Sequence, residues 1–199
     1  MGRPPRHTVD DLLDAAVRLF AEGGVRAVTM SAVAREAGAP SGSVYHRFPD
    51  RPALLAALWL RTVERFHAEY LAILENGTAA EAAIASTAHV VRWCRAHPGE
   101  AHVLNAGRRA FDDQAWSPEQ RVAAKQTDQN LETAWRRLVR ELRPMTGQGT
   151  DDLLLVLIDL PYAAVRRHLE RGELPSSRTV EAVARAARTL LTAEGAIDG

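Results

Sequence analysis

Apolar residues recur at helical spacing from one end of this chain to the other, and no run alternates apolar with polar between turn signals as a strand requires. Leu12, Leu13, Ala16, Val17 and Phe20 form one stripe behind a Thr8/Asp11 pair with capping-box spacing, and Gly23-Gly24 closes that first helix. Thr29 suits the N-cap of a second helix carrying Met30, Val33, Ala34 and Ala37, which breaks at Gly38. Pro40 fits the first turn of a short third helix, closed by Phe48-Pro49. Asp50 caps a long fourth helix that carries Leu55, Leu58, Trp59, Phe66, Tyr70 and Ile73 and stops at Asn76-Gly77. A fifth runs from Thr78 to about His97, a sixth from about Glu100 to Phe111, and a seventh from Ser117 to Pro144. An eighth spans Thr150 to about Gly172, and a ninth Ser176 to about Gly195. The pattern predicts an all-α chain of nine helices. Three make a head over residues 1–50, joined directly through the fourth to a helical body over 51–199.

Composition narrows what such a bundle can be. The 199 residues allow a small head and one larger domain, and 46% hydrophobic residues are enough for packed cores. No charge-free apolar stretch of about eighteen residues occurs, and Met1-Gly-Arg-Pro-Pro-Arg leads into no apolar segment, so neither a membrane span nor a signal peptide is expected. A single cysteine, Cys94, excludes an internal disulfide and suits a reducing cytoplasm. Charge balances at 25 basic against 25 acidic residues. Residues 1–52 hold seven arginines against six carboxylates, with Arg3 and Arg6 in a Pro-rich arm and most acids on the first helix. Any footprint on a polyanion is therefore local.

Residues 29–52 carry the most specific signal. Two short helices joined by a tight turn, the second with Ser41, Ser43, Tyr45, His46 and Arg47 outward, have the layout of a helix-turn-helix whose second helix enters the DNA major groove. Phe20, Gly23, Thr29, Val33, Ala34, Ala37-Gly38, Ser41-Gly42-Ser43-Val44-Tyr45-His46, Phe48 and Asp50-Arg51 together resemble the head of the tetracycline-repressor (TetR) family of transcriptional regulators. The resemblance covers about residues 8–60 and is carried beyond them by length and helix count alone.

Thr29, Ser41 and the amides of the second and third helices can donate to phosphate, and Gly42 lets the backbone approach the duplex. Ser43 and His46 are placed to reach base edges, and Arg3 and Arg6 to add phosphate or minor-groove contacts. The resemblance implies that Tyr45 donates its hydroxyl to a phosphate, while Arg51 offers a charge at the start of the fourth helix. Many family members carry Lys or Arg where this chain has Ser41, which shifts affinity toward the arm, Arg47 and Arg51. Val33, Ala37, Val44 and Phe48 are core.

One head reads few base pairs, so two are needed, and twofold symmetry predicts a palindromic double-stranded DNA operator. Residues 153–160 are apolar around nearly the whole circumference. Leu153, Leu157 and Ala164 on the eighth helix, with Val180, Val183, Ala187, Leu190 and Leu191 on the ninth, are the expected homodimer surface. The resemblance implies a four-helix bundle there.

The body concentrates aromatic residues: Trp59, Phe66 and Tyr70 on the fourth helix, Trp93 on the fifth, Phe111, and Trp135 on the seventh. His89, Asn105 and Asp128 add polar groups among them, as do Asp159 and Tyr162 on the eighth helix. An apolar cavity with a few polar anchors suits a small-molecule effector, itself apolar or aromatic. Aromatics at this spacing also simply fill cores. Asp159 in an apolar run either meets an effector donor or pairs internally, and Pro161 beside it prevents a regular helix. His89, Cys94, His97 and His102 make no tight i, i+4 pair, so no metal site is assigned. No catalytic triad, phosphate loop or paired-carboxylate element is recognisable, and no cofactor is implied. The sequence is thus that of a cytoplasmic, homodimeric, ligand-responsive DNA-binding regulator and not of an enzyme. A repressor released by an effector is the first reading, an activator or an effector-independent regulator the second, and an enzyme using the helical pocket the last.

Overall fold

The structure is a computed structural model and describes residues 7–192. Among these residues every regular element is helical. They are α1 (Val9–Ala27), α2 (Met30–Glu36), α3 (Ser41–Arg47), α4 (Arg51–Leu74), α5 (Ala79–Ala96), α6 (Pro98–Ala106) and α7 (Pro118–Thr146). A continuous helix over residues 150–169, here α8, and α9 (Ser177–Thr192) complete the set. The nine-helix plan holds.

Capping explains most boundaries. Thr8 accepts from the Asp11 amide while Asp11 accepts from the Thr8 amide, and Thr78 with Glu81 repeats this capping box on α5. Thr29 accepts from the Ala32 amide at the start of α2, and Asp50 from the Ala53 amide at the start of α4. Three boundaries differ from the sequence reading. Gly24, at φ 63°, does stop the regular run of α1, but a further turn continues to Ala27 beyond the kink. Gly107, at φ 72°, ends α6 at Ala106, so Arg108–Phe111 and Asp113–Ala115 form separate 3-10 turns instead of the last turn of the sixth helix. Pro40 precedes α3 as its N-cap and is not in its first turn.

Pro161 widens its helix without ending it. Lacking an N–H, it cannot close the usual bond one turn back, and the segment Leu155–Asp159 just ahead of it is π-helical, with the Leu160 amide donating to the Leu155 carbonyl. The α-helical pieces Thr150–Leu154 and Leu160–Leu169 flank that wide turn.

The described residues divide by compactness into two units, one of 7–64 with 99–125 and one of 65–98 with 126–192. The grouping differs from the sequence division at residue 50, because the start of α4, α6 and both 3-10 turns fall with the head. In the first unit, Leu12, Leu13 and Phe20 of α1, Val33 of α2, Val44 of α3 and Leu54, Leu55 and Leu58 of α4 share one core with Val103 and Phe111. In the second, α8 and α9 pack on α5, and Tyr70, Leu138, Leu142, Leu153, Leu157, Ala187 and Leu191 are buried together.

Candidate nucleic-acid interface

The three-helix head is built so that one side of α3 is anchored and the other is free. Val44 is fully buried against the core of the unit and Phe48 is 5% exposed just after the helix. Ser41, Gly42 and His46 are exposed, and Tyr45 is 57% exposed. A large aromatic with a hydroxyl tip left in solvent at that level is unusual in a core-packing role, since it pays for neither burial nor a partner. A Cβ built on Gly42 meets no atom within 4 Å, so the glycine is not needed for packing inside the protein. Thr29 is half-buried as the N-cap of α2.

Two expected cations are engaged within the head itself. Arg51 donates from Nε to the Val28 carbonyl at 2.8 Å and from Nη2 to the Val25 carbonyl at 2.6 Å. It is a strut between the start of α4 and the turn that follows α1. Arg47 donates from Nη1 to the Ser43 carbonyl and hydroxyl and from Nη2 to the His7 carbonyl at 2.6 Å. It fixes the chain just ahead of α1 to α3 and donates to the half-exposed Ser43 hydroxyl, which keeps its own O–H as a donor. Sequence shows that a residue is charged; it does not show that backbone carbonyls lie within the reach of its guanidinium. Arg3 and Arg6 lie outside the described residues.

Residues 12–58 match the bacterial regulatory proteins of the tetR family. The head belongs to that family. The chain is 36% identical over 76 residues to the transcriptional repressor KstR2 of Rhodococcus jostii, a match covering 38% of this chain and 36% of that one. It is 33% identical over 54 residues to the transcriptional regulator AcrR of Shigella flexneri, covering 27% and 25%. The chain thus aligns with about a quarter to little more than a third of the length of these curated relatives. Solved structures carry the likeness of fold past the tetR-family head. FadR from Bacillus subtilis in complex with stearoyl-CoA superposes with a TM-score of 0.71 at 17% identity over 94% of this chain and 99% of that one. KstR2 of Mycobacterium tuberculosis gives 0.70 at 18% identity over 96% and 95%.

The residues read as effector-lining separate into three groups. Trp59 and Phe111 are core of the first unit, where Phe111 stacks on Phe20 with centroids 5.1 Å apart and meets Trp59 at 5.3 Å. Asn105 is in that unit too, half-buried. Asp128, Asp159 and Tyr162 are exposed. Asp159 therefore keeps its hydration and needs no buried partner. Asp128 acts from the surface, as a charge that opposes the depression of the His67 pKa.

Phe66, Tyr70, His89, Trp93 and Trp135 do come together, inside the second unit. Phe66 is the hub, with ring centroids 5.4 Å from Tyr70, 6.0 Å from His89 and 5.2 Å from Trp93. His67, 5.8 Å from Phe66, joins them. Trp135 donates from Nε1 to the Tyr70 hydroxyl at 3.2 Å. Burial raises the Tyr70 pKa against hydrogen bonds with Trp135 and Ser86 that lower it. Burial also holds the imidazoles of His67 and His89 below their ordinary range and pushes the Cys94 thiol up to about 12, leaving it unreactive as a nucleophile. His67 Nδ1, His89 Nε2 and Trp93 Nε1 are buried without a hydrogen-bond partner. Buried donors are seldom left so, and sites of binding are one place where they are.

The expected dimer surface is corrected in part. Leu153, Leu157, Val183, Ala187 and Leu191 are each at most 5% exposed within the chain itself. Ala164 and Val180 are half-buried and Leu190 is 42% exposed. The large apolar residues facing outward on α8 are instead Leu155, at 55%, and Tyr162, at 47%. An apolar circumference shows that a helix is covered on several sides, but not which side its own chain covers. Among the described residues, no helix is long and apolar enough to cross a membrane, and no group of three or more His, Cys, Asp or Glu is placed to hold a metal ion.

Proposed function

We propose that this protein is a DNA-binding transcriptional regulator, a repressor that a small-molecule effector releases from a palindromic operator. The observation that carries the reading is the outward face of α3: Ser41, Gly42, Tyr45 and His46 stand in solvent while Val44 anchors the helix behind them. A short helix held by its apolar side with hydroxyls and an imidazole on the other is the geometry that major-groove reading needs. Its place within a tetR-family match supports the same reading.

Ser41, Gly42 and Tyr45 contact phosphate or approach the backbone, His46 reaches base edges with Ser43, and Arg3 and Arg6 supply further phosphate contacts. Two copies associate through Leu155, Tyr162 and Leu190, placing two heads on successive major-groove faces. The effector enters at Phe66, Tyr70, His89, Trp93 and Trp135, where three unpaired nitrogens would meet its polar atoms. That FadR from Bacillus subtilis was solved with stearoyl-CoA supports a ligand-binding body on this fold. Coupling of about 1–3 kcal/mol between effector and DNA is enough to change operator occupancy substantially.

Fluorescence anisotropy with inverted-repeat and random duplexes, taken from the DNA upstream of the gene, tests the proposal. The inverted repeat should bind at least tenfold more tightly than random DNA, and a Tyr45→Phe, His46→Ala variant should abolish that preference. Equal binding to both duplexes, or a variant that reads the repeat as well as the parent, overturns it.

A further inference from the structure

The second unit has an open groove of about 890 Å³ between the C-terminal half of α7 and the start of α8, within the size range of small-molecule sites. Trp135, Val139, Leu154 and Ile158 give it an apolar floor. Arg136, Arg140 and Arg143 line it from α7, at i, i+4 and i+7, and therefore along one side of that helix. All three are exposed. Glu132, one turn earlier, pairs with Arg136. The guanidinium groups of Arg140 and Arg143 have no hydrogen-bond or ion-pair partner among the described residues.

A row of arginines on a helix is ordinarily a solvated face. This one borders apolar surface, and the indole of Trp135 has already given its only donor to Tyr70, so what it adds to the groove is hydrocarbon. The floor accepts nothing polar, and the rim offers two unpaired planar cations suited to a carboxylate or sulfate. A polyanion such as nucleic acid would use the rim and leave the floor wet. A neutral lipid would use the floor and gain nothing from the rim.

We propose that this groove binds an anionic amphiphile, with the chain on Trp135, Val139, Leu154 and Ile158 and the head between Arg140 and Arg143. The site shares Trp135 with the aromatic interior around Phe66 but is otherwise lined by different residues, and it does not depend on DNA binding.

Isothermal titration of the full chain with dodecanoate below its micelle concentration tests the assignment. Saturable binding of one molecule per chain is expected. Dodecanol and inorganic phosphate, which supply chain and charge separately, should each bind at least tenfold more weakly. Arg140→Gln with Arg143→Gln should weaken dodecanoate at least tenfold, and Arg140→Glu alone should weaken it more than Arg140→Gln alone. Arg185→Gln with Arg188→Gln, on α9, should leave it unchanged. Absence of saturable binding, equal binding of dodecanol, or equal losses in the α9 variant would each overturn the proposal. Displacement of dodecanoate by equimolar heparin would do the same, by showing a general cationic face.

Discussion

Arg61 Nη1 lies 2.8 Å from the Asp14 carboxylate and 3.4 Å from that of Asp10, so a single guanidinium ties α4 to α1. The Arg61 side chain is only 13% exposed, and its Nε and Nη2 are buried without a partner. The clasp is therefore a mixed asset: one nitrogen is well paired and two are not.

Removing the two sides of this clasp should have opposite consequences. Asp10→Ala with Asp14→Ala leaves a largely buried guanidinium without a counter-charge, with only the Asp10 main-chain carbonyl still accepting from it, and should cost about 1–3 kcal/mol. Arg61→Met removes charge and orphaned donors together and should fall within about 1 kcal/mol of the parent, on either side. Urea denaturation of both variants checks the order; Arg61→Met as the more damaging change would refute the account.

Arg51 should prove structural. Arg51→Ala strands the Val28 carbonyl, leaves the Val25 carbonyl with only the Val28 amide, and should lower stability by about 1.5–3 kcal/mol. Arg51→Lys, with no planar fork to span two acceptors, should recover only part of that. Because no phosphate contact is lost, the dependence of log K for DNA on log salt should keep its slope in variants that remain folded. A slope shallower by about one unit would return Arg51 to the interface.

Gly42 separates folding from recognition. With open space around its Cβ position, Gly42→Ala inside α3 should raise stability by about 0.5–1 kcal/mol. The same methyl group would hold the backbone off the duplex and weaken operator binding. Thermal unfolding together with anisotropy measures both; a variant that binds DNA unchanged would remove Gly42 from the contact surface.

Acid should loosen the second unit. Burial depresses His67, opposed by Asp128, and depresses His89, opposed by Glu69 and reinforced by Arg92 and His97. A histidine with a depressed pKa stays neutral in the fold while the unfolded chain takes up its proton first. Stability is thus complete above pH of about 6.5 and is lost as pH falls below it toward the folded values. The unfolding midpoint should drop between pH of about 7.5 and 5.5, and His67→Gln with His89→Gln should flatten that drop. An identical pH profile in the double variant would rule out these two groups as its source.

The nine helices were legible because their ends are written locally: Thr8 with Asp11, Thr78 with Glu81, Thr29 and Asp50 each name a start, and Asn76-Gly77 a stop. Side-chain direction was not. Arg47 and Arg51 read as charges for DNA until the carbonyls of His7, Val25 and Val28 are seen beside them. Phe111 read as a pocket aromatic because periodicity places it on a face but does not say that Phe20 occupies the other side of that face. Leu153 and Leu155 are equally apolar in sequence, yet one is fully buried in its own chain and the other looks outward. The spacing of Arg136, Arg140 and Arg143 was visible throughout; its significance lies in Leu154 and Ile158, which come from a different helix.

The stacking of Phe111 on Phe20 bears on how this molecule can be taken apart. A polypeptide severed after Pro49 would retain the whole trihelical tip yet forfeit Leu54, Leu55, Leu58 and the Phe111 ring that close its interior. The reading module is consequently not a detachable cassette. Grafted elsewhere, it would need a segment encoded some sixty residues downstream to travel with it.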